Sequence, residues 1–488
     1  MRLLTEPLLE INEYREILQS ILNYTIPITV VGPSDSQKAH IIYSICKHTQ
    51  QKAIFMTFNE MQARRMYEDF SFFWGDRAVF LPSREIMLYD IDAKSNDILY
   101  SRIVAIDRII RGEYDIVVAS VETVSQYMIE SELFKNSIIE FNEGERIVLE
   151  KIVLKLVEMG YERVGTVESK GQFALRGGIL DLFPVDFKNP VRIELFDDEI
   201  DTIRVFDSTS QRSFDKMPKV RVIPAREIIY SEEKKEAIID SIKNEMKKYI
   251  KRIRGSADFL AEVEENIKKD LDTMKNQYYF PGIDRYIPHI IHNSKSIFDY
   301  VGKETVVFID EPSRIKQRID NVLFEHYEIC KGLMEKGKVL PSVMEIFMDY
   351  GKLLQKLDGQ RTVDMNTLPV GSEKLVKSKV YSIPSRLLTS YEGHADMLIE
   401  EVRRWKQNKN RIIILAGNEV RGQKLCEELK NNGIEAVFTD DKLEKVMHGQ
   451  VVVIKGALSK GFEYPSAGLV VISDSGLFSQ RRKPKRTA

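Results

Sequence analysis

The sequence predicts an α/β protein of several domains, and three observations support this class. Short β-branched runs alternate with amphipathic segments in the first and last parts of the chain, which is typical of parallel sheets covered by helices. A middle stretch carries closely spaced strands separated by turn residues, which indicates an antiparallel α+β unit. At 488 residues the chain is too long for one core, and this length suggests about three domains.

The first predicted domain is split into two parts, at 1–128 and 231–330. Its first part alternates strands at 26–32, 53–58, 78–81 and 115–119 with helices at 36–49, 60–73 and 95–111. Its second part opens with a charged helical stretch at 231–275 and returns to a buried strand at 305–309. The simplest account is that the strand-rich unit is inserted into this domain.

The inserted domain is predicted at 129–230. A helix at 148–159 ends at Gly160, which suits the position after a helix end. A strand is predicted at 137–141, before this helix, and six short strands follow the helix, at 162–167, 172–176, 179–183, 191–196, 200–206 and 219–224. Almost no helical pattern interrupts these strands, so their sheet is expected to be largely antiparallel.

A further α/β domain is predicted at 340–478, from helices at 391–407 and 420–431 and strands at 412–416, 436–439, 451–455 and 469–473. The chain ends in a basic tail at 479–488, where five like charges at 481–486 predict a disordered linker.

Composition excludes several classes of protein. The formal net charge of −2 argues against a strongly basic nucleic-acid binder. Three widely spaced cysteines and no metal-ligand spacing argue against a disulfide framework and a zinc site. The absence of a long apolar run argues against a membrane span, and the expected location is the cytoplasm.

A phosphate-binding pattern follows the first strand but is incomplete. A P-loop reads G-x-x-x-x-G-K-[ST], whose glycines let backbone amides surround the phosphates and whose hydroxyl binds magnesium. Here Gly32 and Lys38 stand at the right spacing, but Gln37 replaces the second glycine and Ala39 replaces the hydroxyl residue. Gln37 disfavours the open loop conformation, and Ala39 has no metal-binding atom. These departures argue against hydrolysis of a nucleotide.

An acidic pair, Asp310-Glu311, follows the strand at 305–309, where the second acidic motif of such a site would lie. Without a magnesium ligand in the loop, this pair has no metal to hold. A helix-capping role for Asp310 or Glu311 is an equally acceptable interpretation. The sequence therefore predicts a degenerate nucleotide site and no metal site.

Two motifs in the inserted domain carry a family resemblance. The segment 171–184 reads GQFALRGGILDLFP, and 191–201 reads VRIELFDDEID. Together they resemble the second domain shared by the nucleotide-excision repair protein UvrB and the bacterial transcription-repair coupling factors. UvrB keeps an intact P-loop and a full motor, so the degenerate loop makes the sequence more similar to the front portion of the coupling factors.

The resemblance implies a degenerate RecA/helicase-like parallel-sheet domain with an inserted α+β UvrA-binding domain, followed by a further α/β domain. It implies a non-catalytic adaptor that recruits UvrA to lesions that stall RNA polymerase. ATP, magnesium, RNA polymerase and double-stranded DNA would be bound by domains that this sequence lacks. Because the sequence stops at Ala488 without a motor, we expect a fragment of a longer protein or a natural short form.

The resemblance also carries UvrA contacts over to Arg176, Arg192 and Phe196, with Arg204 as a neighbouring candidate. An arginine fork pairs with carboxylates, and an adjacent aromatic ring supplies an apolar anchor. From the residues alone, structural ion pairs of these arginines with nearby acids such as Asp181 are the favoured interpretation, and the resemblance favours the interface instead.

Two other functions stay open at the level of sequence. One is a UvrB-like ATP-dependent helicase or damage-binding enzyme whose loop still works, against which Gln37 and Ala39 argue. The other is a nucleic-acid binding module that uses the charged helices and the basic tail, against which the near-neutral net charge argues.

Overall fold

The structure, a computed structural model, describes residues 1–25, 27–89, 95–291, 295–369, 379–388, 395–439, 443 and 445–473. The predicted basic tail at 479–488 and the first residues of the predicted helix at 391–407 lie outside the described residues. Among the helices that are described, none is both long enough and apolar enough to cross a membrane.

The first part of the chain alternates strands and helices, as its apolar periodicity predicts. The helices are α1 (Arg2–Thr5), α2 (Asn12–Leu22), α3 (Asp35–Thr49), α4 (Glu60–Trp74), α5 (Asp97–Ile110) and α6 (Val121–Val124). The strands are β1 (Ile28–Val31), β2 (Ala53–Thr57), β3 (Ala78–Leu81) and β4 (Ile116–Ser120). These strands are buried almost throughout, which is the pattern of a parallel sheet with both faces covered.

The inserted part has two helices, α7 (Ser131–Ser137) and α8 (Leu149–Glu158). Its strands are β5 (Ile139–Asn142), β6 (Glu162–Arg163), β7 (Gln172–Arg176), β8 (Ile179–Leu182), β9 (Val191–Phe196), β10 (Glu199–Phe206), β11 (Ser213–Lys216) and β12 (Lys219–Val222). Buried and accessible residues alternate along β9, so this sheet has one core face and one outer face.

The chain then forms helices α9 (Glu232–Arg252), α10 (Ala257–Asn276), α11 (Ile287–Ile291), α12 (Pro312–Met334) and α13 (Tyr350–Leu357). Strand β13 (Val306–Asp310) precedes α12, and strands β14 (Arg361–Asn366) and β15 (Lys379–Ser382) follow α13. The long pair α9 and α10 packs on its own apolar cluster.

The last part contains strands β16 (Arg386–Leu387), β17 (Arg411–Ala416), β18 (Ala436–Thr439), β19 (Val451–Lys455), β20 (Phe462–Tyr464) and β21 (Leu469–Ser473). Two helices, α14 (Ala395–Gln407) and α15 (Glu419–Asn431), lie between them in sequence. The sheet order is β16-β20-β21-β17-β19-β18, parallel at its centre and antiparallel at the β16 end.

The first domain is built on a seven-stranded sheet of order β15-β1-β14-β13-β2-β4-β3, in which each pair of neighbours is parallel. The predicted α/β class with a parallel sheet is therefore confirmed. Strands from both sides of the insertion pair with one another, since β13 lies next to β2. The inserted part forms a separate six-stranded sheet, β11-β10-β9-β8-β7-β6, and the ribbon β12-β5.

The structure differs from the sequence analysis in where the first sheet ends along the chain. The predicted unit at 340–478 opens in the structure with α13, β14 and β15, and both of these strands flank β1 in the first sheet. Buried strands have similar apolar runs in any parallel sheet, so the pattern alone does not reveal which sheet a strand joins. The separate last sheet begins at β16.

The last unit packs directly on the first domain. One apolar cluster joins Phe70 and Phe73 of α4 with Leu415 of β17, Ile454 of β19 and Phe462 of β20. Burial of this shared surface gives the two units a common core.

Candidate functional site

The degenerate phosphate loop lies at the carboxyl edge of the first sheet. Strand β1 leads into Gly32, and Lys38 lies in the first turns of α3. The Lys38 Nζ atom is 2.5 Å from Asp310 Oδ1 at the end of β13 and 2.8 Å from Glu311 Oε1. Thr57, at the end of β2, donates a hydrogen bond of 2.7 Å to the other oxygen of Asp310. The lysine is therefore neutralised within the protein.

The electrostatics of this cluster favour a charged lysine. Burial alone would lower the pKa of Lys38, but the charges and hydrogen bonds of Asp310 and Glu311 outweigh burial and raise that pKa. Burial pushes the pKa of Glu311 upward, and the nearby Lys38 ammonium brings it below its usual value. The side chain of Lys38 is 1% exposed, so its ammonium faces carboxylates rather than solvent.

The amino end of α3 is closed by its own side chains. Ser34 and Gln37 form a capping box. The Ser34 hydroxyl accepts from the backbone N–H of Gln37, and Oε1 of Gln37 accepts from the backbone N–H of Ser34 at 3.1 Å. The backbone amide of Lys38 donates to the Ser34 carbonyl at 2.7 Å. In a working P-loop, the amides at this place are directed at phosphate oxygens.

Two segments cover the degenerate phosphate loop from outside. One is the stretch between β15 and β16, and the other is strand β20 of the last unit. The side-chain amide of Gln37 donates to the Glu463 carbonyl at 3.1 Å. Ser385 donates a hydrogen bond of 2.5 Å to the Gly32 carbonyl. A Cβ atom on Gly32 would clash with the carbonyl oxygen of Ile383, so only glycine fits this position. The degenerate phosphate loop is therefore part of the junction between the first domain and the last unit.

The structure brings together all six residues predicted for the degenerate nucleotide site. Ala39 is buried in α3, next to Lys38. The capping alternative for the acidic pair does not hold, because Glu311 precedes α12 without a side-chain cap hydrogen bond and Asp310 bonds Lys38 and Thr57 instead. Glu311 also accepts from the Thr367 amide at 2.8 Å.

A second junction contact was not found by the sequence analysis. Asp69 of α4 is buried and accepts from the Ser459 amide at 2.6 Å, the Ser459 hydroxyl at 2.8 Å and the Ser36 hydroxyl at 2.9 Å. Ser36 belongs to the loop helix and Ser459 to the last unit, so one carboxylate links three elements. Residues 390 positions apart in sequence leave no local signal for such a contact.

The predicted partner-binding residues share the outer face of the inserted sheet. Arg204 lies directly opposite Arg192 in the pairing of β10 with β9. Arg176 lies opposite Ile179, which in turn lies opposite Glu194. Because side chains of paired residues project to the same face, the four predicted residues line one surface.

Arg192 makes a strong intramolecular contact on this face. Its Nε and Nη2 atoms donate to the two oxygens of Asp181 at 2.7 and 2.9 Å, and its guanidinium lies 4.7 Å above the centre of the Phe206 ring. The Asp181 hydrogen bonds raise the pKa of Arg192. With 19% of its side chain exposed, Arg192 has a structural role and keeps a small accessible edge.

The other predicted contact residues are accessible. Phe196 is 80% exposed at the end of β9, which is unusual for a large aromatic side chain that serves only the fold. Among the described residues, Arg176 and Arg204 make only long ion pairs, 3.7 Å to Asp181 and 3.8 Å to Glu194. Ile179 adds an exposed apolar side chain to this face, which the sequence analysis did not single out.

Comparison with known proteins adds to this geometry. A family model described as the UvrB interaction domain matches residues 139–228, from β5 to beyond β12. The chain is 29% identical over 481 residues to the transcription-repair-coupling factor of Bacillus subtilis (strain 168), in an alignment that covers 98% of this chain. It is 27% identical over 496 residues to that of Staphylococcus aureus (strain MRSA252), in an alignment that covers all of it.

The chain is therefore similar over nearly its whole length to transcription-repair-coupling factors. It spans about two fifths of the length of these relatives, since the alignments cover 40% and 41% of them. The similarity to the transcription-repair-coupling factors extends over the first domain, the inserted sheet and the last unit alike. The match to the UvrB interaction domain contains the whole of the exposed face with Arg176, Arg192, Phe196 and Arg204.

Proposed function

We propose that the chain is the adaptor portion of a transcription-repair coupling factor, which recruits UvrA during transcription-coupled nucleotide excision repair in the cytoplasm. The observation that carries this proposal is the match to the UvrB interaction domain at 139–228, whose outer face presents an exposed phenylalanine among arginines. RNA polymerase and double-stranded DNA would be bound by parts of the longer relatives that this chain does not match.

The chemistry of the face supports a protein partner. Phe196 offers an apolar anchor, and Arg176 and Arg204 offer guanidinium groups whose ion pairs are long, at 3.7 and 3.8 Å. Interface hot spots favour aromatic and arginine side chains of this kind. Arg192 is held by Asp181, and its contribution would come from its exposed edge and from the shape of the face.

We propose further that this portion works without ATP or magnesium. The lysine that would meet the phosphates is paired with Asp310 and Glu311, and the first amides of α3 are capped by Ser34 and Gln37. A nucleotide would have to break these contacts and displace the covering segment at Glu463. Breaking a buried ion pair costs about 3–5 kcal/mol, which opposes binding.

Binding to purified UvrA tests the adaptor proposal. We expect Phe196→Ala to weaken binding by at least about tenfold, because a central aromatic anchor contributes more than about 1.4 kcal/mol. Arg176→Ala and Arg204→Ala should weaken it to a smaller extent. Affinity is measured by titration at fixed salt concentration.

Phe324→Ala is the matched control, because Phe324 is 67% exposed on α12, outside the inserted domain. Arg192→Ala is interpreted together with its unfolding curve, since its loss leaves buried Asp181 without its main partner. Equal binding by wild type, Phe196→Ala and Arg176→Ala would contradict the proposed surface.

ATP turnover and nucleotide binding are measured in the same preparations. We expect turnover at background in wild type and Lys38→Ala alike, and no change in melting temperature on adding ATP with magnesium. Turnover that is lost in Lys38→Ala would instead support the UvrB-like enzyme.

A further inference from the structure

A small cavity lies where the first domain, the inserted domain and the helical part meet. Its walls come from the loop after β3, the first turn of α5, the segment after β12 and the segment after α10. Its volume is about 190 Å³, which is below the usual range of about 300–1,000 Å³ for pockets that hold drug-sized ligands. A group of a few atoms fits this space, and a nucleotide does not.

Arg84 lines this cavity and is only 7% exposed. Within the described part of the chain, none of its three guanidinium nitrogens has a hydrogen-bond partner. The nearest ion-pair contact is to Glu227 Oε1 at 3.9 Å. Buried guanidinium groups are almost always hydrogen-bonded, so this exception calls for an explanation.

Glu227 does not supply the missing partner, because a second arginine already uses it. Arg102 donates to both Glu227 oxygens, at 2.6 and 3.0 Å, and to the Pro82 carbonyl at 2.7 Å. One buried carboxylate therefore faces two buried guanidinium groups, of which only Arg102 is satisfied. Burial lowers the pKa of Arg84, but a guanidinium stays protonated in proteins.

The position of Arg84 is fixed by its backbone. The Gln126 side chain accepts from the Arg84 amide at 2.8 Å and donates to the Arg84 carbonyl at 2.7 Å. The backbone that carries the unpaired guanidinium is thus anchored at the cavity wall. A ligand there would find donors already in place, which reduces the entropy cost of binding.

We propose that this Arg84 cavity binds a small oxyanion, a carboxylate or a phosphate, through the guanidinium of Arg84. The planar fork of an arginine matches both groups with two parallel hydrogen bonds. Asn96 and Ile98, at the start of the 14-residue helix α5, also line the cavity, and the positive end of the helix dipole favours an anion.

The remaining walls limit what the ligand can be. Arg226 lies 3.7 Å above the centre of the Tyr279 ring at this cavity, and Met87 adds an apolar surface. The carboxylates of Glu85 and Asp284 also line the cavity, so selectivity rests on the unsatisfied Arg84 fork rather than on an excess of positive charge. This lining therefore suits a small anion whose main contact is the Arg84 guanidinium.

Thermal unfolding of the 488-residue chain in three salts tests the proposal. Sodium phosphate and sodium acetate are compared with sodium chloride at equal ionic strength and pH. We expect at least one of the two oxyanions to raise the melting temperature by about 2–5 °C. The rise should be absent in Arg84→Met and retained in Arg146→Met, whose arginine is 73% exposed and has long ion pairs, at 3.8 and 3.7 Å.

Comparison of the phosphate and acetate samples distinguishes the two kinds of ligand. A rise in phosphate alone indicates a phosphate group, and a rise in acetate indicates a carboxylate. The proposal is overturned if neither salt raises the melting temperature of wild type, or if Arg84→Met responds as wild type does.

A second variant guards against misfolding of Arg84→Met. Arg84→Lys keeps the charge and loses the planar fork, so we expect it to fold and to bind the effective anion at least about tenfold more weakly by calorimetric titration. Equal affinity in Arg84→Lys and wild type would contradict recognition by the arginine fork.

Discussion

At the scale of single residues, a buried lysine requires compensating charge, and Lys38 obtains it from Asp310 and Glu311. These two carboxylates take the place that phosphate oxygens occupy in a functional P-loop. The Lys38 ammonium therefore stabilises the junction of α3 with the edge of the sheet. The same logic applies to Arg192 and Asp181 on the inserted sheet. Lys38 and Arg192 are both residue types that suggest ligand binding, but in each case a carboxylate of the same chain gives the side chain a structural role.

Lys38→Met should lower the free energy of unfolding by about 3–5 kcal/mol, because it leaves the buried Asp310 carboxylate uncompensated. The loss should be smaller at pH 5 than at pH 8, since protonation of an unpaired buried carboxyl relieves the penalty. Urea unfolding at both pH values measures this.

The triple variant Lys38→Met/Asp310→Asn/Glu311→Gln is the control for this effect. Removing all three charges should recover most of the lost stability. A loss under about 1 kcal/mol in the single variant, typical of exposed ion pairs, would show that the pair is not buried as described.

At the scale of elements, strand β14 carries an unusual residue for the first sheet. Asp364 lies on this strand between β1 and β13, and burial raises its pKa from 3.8 to about 6. Among the described residues, no counter-charge offsets this shift, so burial penalises the charged form of this carboxyl. Such a position reduces stability at neutral pH.

The pH dependence of Asp364 follows from that direction. Between about pH 4 and pH 6 the folded state binds more protons than the unfolded state, so stability falls as pH rises through this range. Asp364→Asn should therefore be more stable than wild type at pH 7.5, by up to about 3 kcal/mol. The difference should shrink towards pH 5 in urea unfolding.

Asp358→Asn, at an exposed position just after α13, is the matched control and should track wild type at every pH. A stability difference between Asp364→Asn and wild type that does not change with pH would contradict the interpretation.

At the scale of the whole molecule, the last unit and the first domain share one packed junction. They share the apolar cluster that contains Phe70 and Phe462. Asp69 joins α4, α3 and the segment before β20, and Arg411 of the last unit donates to both oxygens of Glu10, at 2.9 and 2.6 Å. The degenerate loop lies inside this junction.

Asp69→Ala should loosen that junction, because the Ser459 amide and the Ser36 hydroxyl lose their acceptor. Each buried donor left unsatisfied costs about 1–3 kcal/mol. We expect faster amide hydrogen exchange in α3 and around residues 459–464, with little change in the inserted sheet. Glu68→Ala, exposed on the same helix, should leave exchange unchanged.

The sequence by itself determined the class of the fold and marked the residues of both candidate sites. Alternation of apolar runs with amphipathic helices identified the parallel sheet, because that periodicity is local. Closely spaced strands identified the inserted domain, which the family match at 139–228 supports. Gln37 and Ala39 marked the loop as incomplete, since the chemistry of a phosphate loop depends on residue types at fixed spacing.

Only the tertiary structure decided which groups meet. The membership of β14 and β15 in the first sheet, the partners of Lys38, the hold of Asp181 on Arg192 and the unsatisfied guanidinium of Arg84 all depend on residues far apart in sequence. Contacts of this kind are set by how whole elements pack, and a local pattern contains no information about the partner across the core. Burial then fixes whether a charge serves the fold or remains available to a ligand.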